Sequence, residues 1–285
     1  MFLETKKLTH IYMPGTPFQV KALQNVTLSI KRGEFVGIIG ETGSGKSTLV
    51  QHFNGLLKPS SGQVFFERHN IWQAGFNLQK LRSRVALLFQ FPEHQLFEET
   101  VFKDVAFGPR NLGLDGMELK KRVRHSLQIV GLDYENYKER SPLNLSGGEK
   151  RRVALAGILA MQPEVIILDE PTAGMDPAGR RHLLAKIKKM HREQKLTIIL
   201  VTHSMEDASR LAEKLFVFSR GEMVLQGTPA EVFKSSAVVK EIGLELPPLT
   251  ELLQKLKTGK HHLLKTDLFS IEDVGREILH HFKKD

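Results

Sequence analysis

The chain of 285 residues contains no cysteine, which excludes disulfides and thiolate metal sites. Long apolar runs are also missing. The longest, Val165-Ile166-Ile167-Leu168 and Ile198-Ile199-Leu200-Val201, have strand length and fall far short of the ~20 residues that span a bilayer, so the chain is not expected to cross a membrane. The opening Met-Phe-Leu-Glu-Thr-Lys lacks the charged-then-apolar order of a signal segment, and the cytoplasm is the expected compartment, which the missing thiols fit. No repeat or low-complexity tract interrupts the sequence. What remains is ordinary globular composition, 41% hydrophobic and 26% charged, enough for one large cored domain plus an appendage.

The net charge of +9 admits nucleic acid or an anionic membrane surface as a partner, and its distribution decides little. The densest basic stretch, Arg180 to Lys195, carries seven Lys/Arg against the single acid Glu193, with Leu183, Leu184, Ile187 and Met190 at helical spacing. That pattern predicts a core-facing helix with a solvated basic face; a phospholipid-facing role is the rival.

The most informative segment is Gly40, Glu41, Thr42, Gly43, Ser44, Gly45, Lys46, Ser47 and Thr48, directly after the apolar run Phe35-Val36-Gly37-Ile38-Ile39. A buried strand feeding a glycine-rich loop that ends in Lys-Ser is a phosphate cradle. The glycines let backbone N–H groups turn toward an anion, the following helix offers its positive end, and Lys46 can reach the outer phosphates. Ser47 supplies the hydroxyl that such sites place on Mg²⁺. A dinucleotide loop is the nearer rival, but Thr48 stands where the third glycine should fall and Lys46 has no use there.

Val165 to Leu168 ends in Asp169-Glu170, so a buried strand delivers two carboxylates to its carboxyl end, where open α/β sheets bind ligands. In a phosphate-loop enzyme the first acid holds Mg²⁺, and the second orients or deprotonates the attacking water. Between these motifs, Ser146-Gly147-Gly148-Glu149 opens a buried helix and forms a second anion site, surplus unless it serves another molecule's nucleotide. Read alone, the same residues make a capped helix with a tight turn.

Strands alternate with helices from residue 34 to about 226, the pattern of a mostly parallel sheet covered on both faces. Leu3 to Tyr12 and Val20 to Ile30 predict a small antiparallel sheet before it. Residues 99 to 161 read as mainly helical, with Glu118 to Val130 the clearest amphipathic stretch. Beyond Gly227-Thr228-Pro229, two amphipathic helices are expected from Leu249, Leu252, Leu253 and Leu256 and from Ile271, Val274, Ile278 and Phe282, packing either on their own chain or on a second subunit.

Taken in order and spacing, Gly40 to Ser47, Gln90 after the strand Val85 to Phe89, Leu145 to Glu149, Asp169-Glu170, Asp176, and His203 after Ile198 to Val201 resemble the ATP-binding cassette family over residues 1 to about 235. The resemblance implies an α/β fold: a P-loop NTPase cassette with a RecA-like core, an N-terminal antiparallel β subdomain, a helical subdomain at about 99–161 and a C-terminal helical extension at 236–285. It implies ATP and Mg²⁺ as cofactors, and a head-to-tail dimer in which Ser146, Gly147, Gly148 and Glu149 contact the other subunit's ATP. It also implies that Tyr12 stacks on adenine, that Glu170, His203 and Gln90 are catalytic, that Ser47, Gln90 and Asp169 serve the metal, and that Asp176 carries communication across the dimer. With both Glu170 and His203 present, a cassette that binds ATP without hydrolysing it is not expected.

Phe91 to Pro109, with its Phe-Pro-Glu-x-Gln-Leu-Phe-Glu-Glu-Thr-Val wording, and Pro14-Gly15-Thr16-Pro17-Phe18 look like the cobalt and energy-coupling factor transporter ATPases, closest to the second type of A component. That resemblance implies a translocase: a peripheral subunit on the cytoplasmic face of the membrane, paired with a second cassette as a heterodimer. Its ATP hydrolysis would drive uptake of vitamins or related micronutrients through a transmembrane T component and exchangeable S components, with no nucleic acid involved. Ala173-Gly174-Met175-Asp176 departs from the frequent Ser-Ala-Leu-Asp but keeps the acid. Glu93, Glu98, Glu99 and Asp104, interleaved with Phe91, Leu96 and Phe97, form an acidic and apolar surface suited to an arginine-bearing helix of the membrane partner, with Glu93, Glu98 and Glu99 as the docking residues. An ordinary acidic helix start is the alternative. A homodimeric cobalt/nickel-type importer and a soluble nucleic-acid-associated cassette ATPase are the other functional readings; the latter lacks its usual coiled-coil insertion or zinc-binding cysteines.

Overall fold

The structure, a computed structural model, describes residues 1–257 and 265–282. Its centre is a six-stranded sheet of β3 (Phe35–Gly40), β6 (Val85–Leu88), β7 (Val165–Asp169), β8 (Thr197–Val201), β9 (Lys214–Ser219) and β10 (Glu222–Gly227), in the order β10-β9-β3-β8-β7-β6. All pairings are parallel except β10 with β9. β3, β6, β7 and β8 are buried at every position, which is why they read as continuous apolar runs rather than alternating ones. Because these four strands run parallel, their carboxyl ends at Gly40, Leu88, Asp169 and Val201 share one edge of the sheet.

Successive side chains leave a strand on opposite faces, and the two faces carry two separate cores. Phe35, Ile39, Ile166, Leu168, Ile198 and Leu200 point toward a helical layer. Val36, Ile38, Val165, Ile167, Ile199 and Val201 point toward α1 (Lys46–Phe53) and a second sheet. That second sheet is antiparallel, order β2-β1-β4-β5, formed by β1 (Leu3–Tyr12), β2 (Val20–Ile30), β4 (Ser61–Phe66) and β5 (His69–Asn70). The expected N-terminal pair is therefore half of a sheet completed by strands that follow the phosphate loop. β4 and β5 were not readable because Ser61-Gly62-Gln63 gives their start no apolar alternation.

α2 (Leu78–Arg84) buries Leu81 in the core shared with α1 and the second sheet, and the helical layer contains α3 (Val101–Asn111), α4 (Gly116–Ile129), α5 (Tyr134–Tyr137) and α6 (Gly147–Ala160). α6 is enclosed on nearly all sides, burying Val153, Ala154, Leu155, Ala156, Ile158, Leu159 and Ala160. α7 (Pro177–Gln194) is the basic helix: it buries Leu183, Leu184, Ile187 and Met190 and leaves Arg181, Lys189 and Arg192 exposed. α8 (Met205–Leu211) and α9 (Pro229–Lys234) follow.

In the extension, α10 (Ser236–Glu241) and the following turn bury Val239, Leu244 and Leu246 in the core, and Phe269 sets its ring 6.0 Å from that of Phe233. α11 (Pro248–Leu256) buries Leu253 but exposes Leu252; α12 (Ile271–Phe282) buries Val274 but exposes Ile271. The Phe282 side chain and residues 258–264 and 283–285 of the expected extension lie outside the described residues. Among the described residues no helix is long and apolar enough to cross a membrane.

Candidate functional site

The phosphate loop spans the turn from β3 into α1. Its fold requires glycine at two points: a Cβ on Gly40 would stand 2.2 Å from the Phe218 carbonyl oxygen, and one on Gly45, at φ +98°, 2.4 Å from that of Ala22. Gly45 is also the N-cap of α1 and offers no side chain, so the first N–H groups of the helix are left for a ligand. Lys46 is buried, and its ammonium donates to the carbonyls of Gly40 (2.8 Å) and Glu41 (2.7 Å). Burial lowers its pKa, while Glu170, Asp169 and Glu41 pull in the opposite direction.

Ser44 is buried behind the loop, whereas Glu41, Thr42 and Gly43 are exposed. Tyr12, Lys21, Gly43, Lys46, Thr48 and Arg220 line a cleft of about 470 Å³, large enough for a nucleotide. The Tyr12 hydroxyl lies 3.2 Å from Thr48 Oγ1, and the ring of His10 abuts the Tyr12 ring edge-on at 4.5 Å. Tyr12 is thus oriented at the cleft and half-open to solvent.

Asp169 ends β7 in a buried position and accepts a hydrogen bond from the Ser47 hydroxyl. Burial raises its pKa, and the neighbouring Glu170 charge raises it further, against the pull of Ser47 and Lys46. A carboxylate that is costly to ionise, set against a hydroxyl, is a pair of hard oxygen donors suited to a divalent cation that keeps water and phosphate ligands. No group of three or more His, Cys, Asp or Glu able to hold a metal occurs among the described residues, so such a cation would draw most of its ligands from elsewhere.

Glu170 follows at φ +49°, a left-handed backbone uncommon for a residue other than glycine. Its N–H donates to Val201 O at 3.0 Å, which ties it to the end of β8, and its carboxylate lies 2.9 Å from His203 Nδ1. Gln90 emerges, exposed, from the end of β6 beside β7. The parallel sheet thus brings Lys46, Ser47, Asp169, Glu170, His203 and Gln90 to one edge.

The other glycine turn lies apart from this cleft: none of Ser146, Gly147, Gly148 or Glu149 lines it. Ser146 and Glu149 close a reciprocal capping box at the start of α6. Tyr137 donates to Glu149 as well, and these hydrogen bonds hold the Glu149 carboxyl down at about 2. A Cβ on Gly147 or Gly148 would meet nothing within 4 Å. This chain's own packing therefore does not require glycine at either position. Asp176 is exposed and caps α7, accepting from the N–H groups of Ala178 and Gly179 at 2.9 Å each.

The acidic stretch divides. Glu93 turns inward to the buried Arg151 (3.3 Å), and Asp104 turns inward to accept from the N–H groups of Phe97 (3.1 Å) and Glu98 (3.0 Å). Glu99 stays outside, paired with Lys103, and Glu98 is half-buried. Beside them Leu96, Phe97, Phe107, Leu112 and Met161 line a largely apolar groove of about 580 Å³, with Phe97 65% exposed. No sequence pattern gave a sign that Phe107, from α3, and Met161, from the end of α6, meet in this groove. Nor did any pattern signal Arg180, which reaches from α7 to Asp207 (2.7 Å) and the Ser204 hydroxyl beside His203.

A family model described as ABC transporter matches residues 23–173. The energy-coupling factor transporter ATP-binding protein EcfA2 of Clostridioides difficile (strain 630) is 53% identical over 280 residues, 98% of this chain and 97% of that protein. Among solved structures, cbiO1 from Clostridium perfringens, part of the ABC transporter complex cbiONQ, matches with a TM-score of 0.74 at 40% identity, covering 89% of this chain and 98% of that one. The ATP-binding cassette MJ0796, a dimer in a post-hydrolysis state bound to ADP and Pi, matches with a TM-score of 0.72 at 30% identity, covering 80% of this chain and 99% of that one. With its phosphate cradle and paired carboxylates at one sheet edge, the chain belongs to the ABC transporter family, among the energy-coupling factor transporter ATP-binding proteins of the EcfA2 kind.

Proposed function

We propose that this protein is the ATP-hydrolysing subunit that drives vitamin or related micronutrient uptake through a membrane T component and exchangeable S components, docked peripherally on the cytoplasmic face and paired with a second, non-identical cassette. The observation that carries this reading is the near full-length likeness to EcfA2 proteins. The nucleotide base stacks on Tyr12, the phosphates lie on the N–H groups of residues 41–48, and Lys46 exchanges its carbonyl partners for phosphate oxygens. Ser47, Asp169 and Gln90 would hold Mg²⁺, which when bound would neutralise charge developing on the phosphates. Glu170 orients the attacking water and takes its proton, and His203 contacts the outer phosphate.

The second cassette completes each site. Gly147 and Gly148, whose N–H groups lie outside the Ser146–Glu149 capping box and whose Cα atoms are unobstructed, face the nucleotide of the partner, and the dimeric MJ0796 cassette supports that arrangement. Asp176 at the start of α7 carries the state of one site to the other. Docking to the T component uses the apolar groove flanked by Glu98 and Glu99; Glu93, committed to Arg151, supports it from inside. A homodimeric cobalt/nickel-type importer is a second reading, kept because cbiO1, part of the cbiONQ transporter complex, is 40% identical to this chain.

Affinity purification from detergent-extracted membranes decides between them. Recovery of a second cassette with a T component and several alternative S proteins is expected, with ATP-driven uptake lost on Lys46→Ala. Recovery with DNA or ribosomes, or with no membrane protein, would refute the proposal.

A further inference from the structure

Two turns at the nucleotide edge of the sheet carry non-glycine residues in the left-handed region. Glu170 has φ +49°, and Phe91, directly after Gln90, has φ +60°. Such backbones are unfavourable for residues with a Cβ and persist only where surrounding contacts enforce them. The same side chain contacts both turns. Arg151, on α6 and 6% exposed, donates through Nη1 to the carbonyl of Ala173, three residues after Glu170. Through Nη2 it donates to the carboxylate of Glu93, three residues after Gln90, at 3.3 Å. Each turn is then closed locally: Ala173 N–H donates to Glu170 O at 3.2 Å, and His94 N–H donates to Phe91 O at 3.1 Å.

We infer that Arg151 is a positioning residue for ATP hydrolysis, a single buried guanidinium that sets the turns carrying Glu170 and Gln90 from the helix that begins at Ser146. The inference rests on the nucleotide reading proposed above. Arginine suits the task because its planar fork reaches two acceptors in different directions, which an ammonium on a flexible stem does not reproduce. A third donor, Nε, is buried and has no acceptor among the described residues. The guanidinium therefore retains capacity for a closer, two-pronged grip on Glu93 when the turn after Gln90 moves. Movement of the Ser146 helix start is thereby transmitted to both the water-orienting carboxylate and the glutamine without any contact between Arg151 and nucleotide.

The test compares wild type, Arg151→Lys, Glu93→Gln and the double variant in the assembled membrane complex, measuring turnover, ATP affinity and melting temperature separately. Misplacing a reacting group by about 1 Å costs on the order of 100-fold in rate. Arg151→Lys is expected to lower kcat roughly 10-fold to 100-fold with ATP affinity within about two-fold of wild type and only a modest fall in melting temperature. Glu93→Gln, which keeps an acceptor, should lower kcat less, and the double variant should be no worse than Arg151→Lys alone. Should Arg151→Lys fail to assemble, Glu93→Gln still decides, through the same fall in kcat at constant affinity. Wild-type turnover in these variants, or parallel loss of affinity and melting temperature, overturns the positioning role. Failure of the wild-type complex to hydrolyse ATP would overturn the nucleotide reading itself.

Discussion

His203 Nδ1 lies 2.9 Å from the Glu170 carboxylate, so the two side chains expected at the outer phosphate face each other from the ends of adjacent strands β8 and β7. His203 is largely exposed, while the Glu170 side chain is mostly covered. The histidine is thus the partner with open space around it. An incoming phosphate can draw it away from a carboxylate that the backbone hydrogen bond to Val201 keeps in place.

Glu170→Gln keeps the size and a hydrogen-bond acceptor for His203 but removes the proton acceptor. ATP affinity is expected to stay near wild type while turnover falls by roughly 10²- to 10⁴-fold. Steady-state hydrolysis and equilibrium nucleotide binding on the same preparation check this. Wild-type turnover would remove Glu170 from the chemistry.

Asp169 gives a pH and stability signature. Burial raises its carboxyl above its ordinary value of 3.8, so the folded, ligand-free protein holds that proton to higher pH than the unfolded chain does. Its contribution to stability therefore falls as pH rises from 3.8 toward the raised value and stays unfavourable above it. Asp169→Asn should raise the nucleotide-free melting temperature at neutral pH and erase the further rise produced by Mg²⁺ with ATP. A lower melting temperature without ligand would contradict the assignment of Asp169 as an uncompensated carboxylate.

Reversing charge at Glu98 and Glu99, each to Lys, should reduce recovery of the membrane complex several-fold at low salt without impairing ATP binding by the isolated subunit. Exposed charges act over about 10 Å at moderate salt and are screened further as ionic strength rises, so the defect should be largest at low salt and shrink across the series. Co-purification yield across a salt series measures it. Unchanged yield in a folded, ATP-binding variant would move the docking surface elsewhere.

Much of the site was legible because chemistry and strand burial coincide in it. Phe35 to Ile39, Val165 to Leu168 and Ile198 to Val201 are uninterrupted apolar runs, each followed by candidate site residues, and a parallel sheet aligns their ends. The acidic stretch after Gln90 was less legible. Four carboxylates look alike in sequence, yet Glu93 and Asp104 turn inward to Arg151 and to backbone N–H groups, while Glu98 and Glu99 remain toward solvent. That partition depends on which helix packs behind the turn, information carried by Arg151 nearly sixty residues away. The stripe at Leu249, Leu252, Leu253 and Leu256 predicted a helix correctly, but not that only Leu253 would be fully buried.

The most direct test of completion in trans is the size and nucleotide content of the cassette pair in the Glu170→Gln background, with and without Ser146→Arg. Light scattering and bound-nucleotide assay after gel filtration read both at once. With ATP, Glu170→Gln should give a closed pair retaining two nucleotides; adding Ser146→Arg should abolish closure while each phosphate loop still binds ATP at near wild-type affinity. Closure unaffected by Ser146→Arg, or equal loss of closure and of ATP binding, would contradict a site shared between two cassettes.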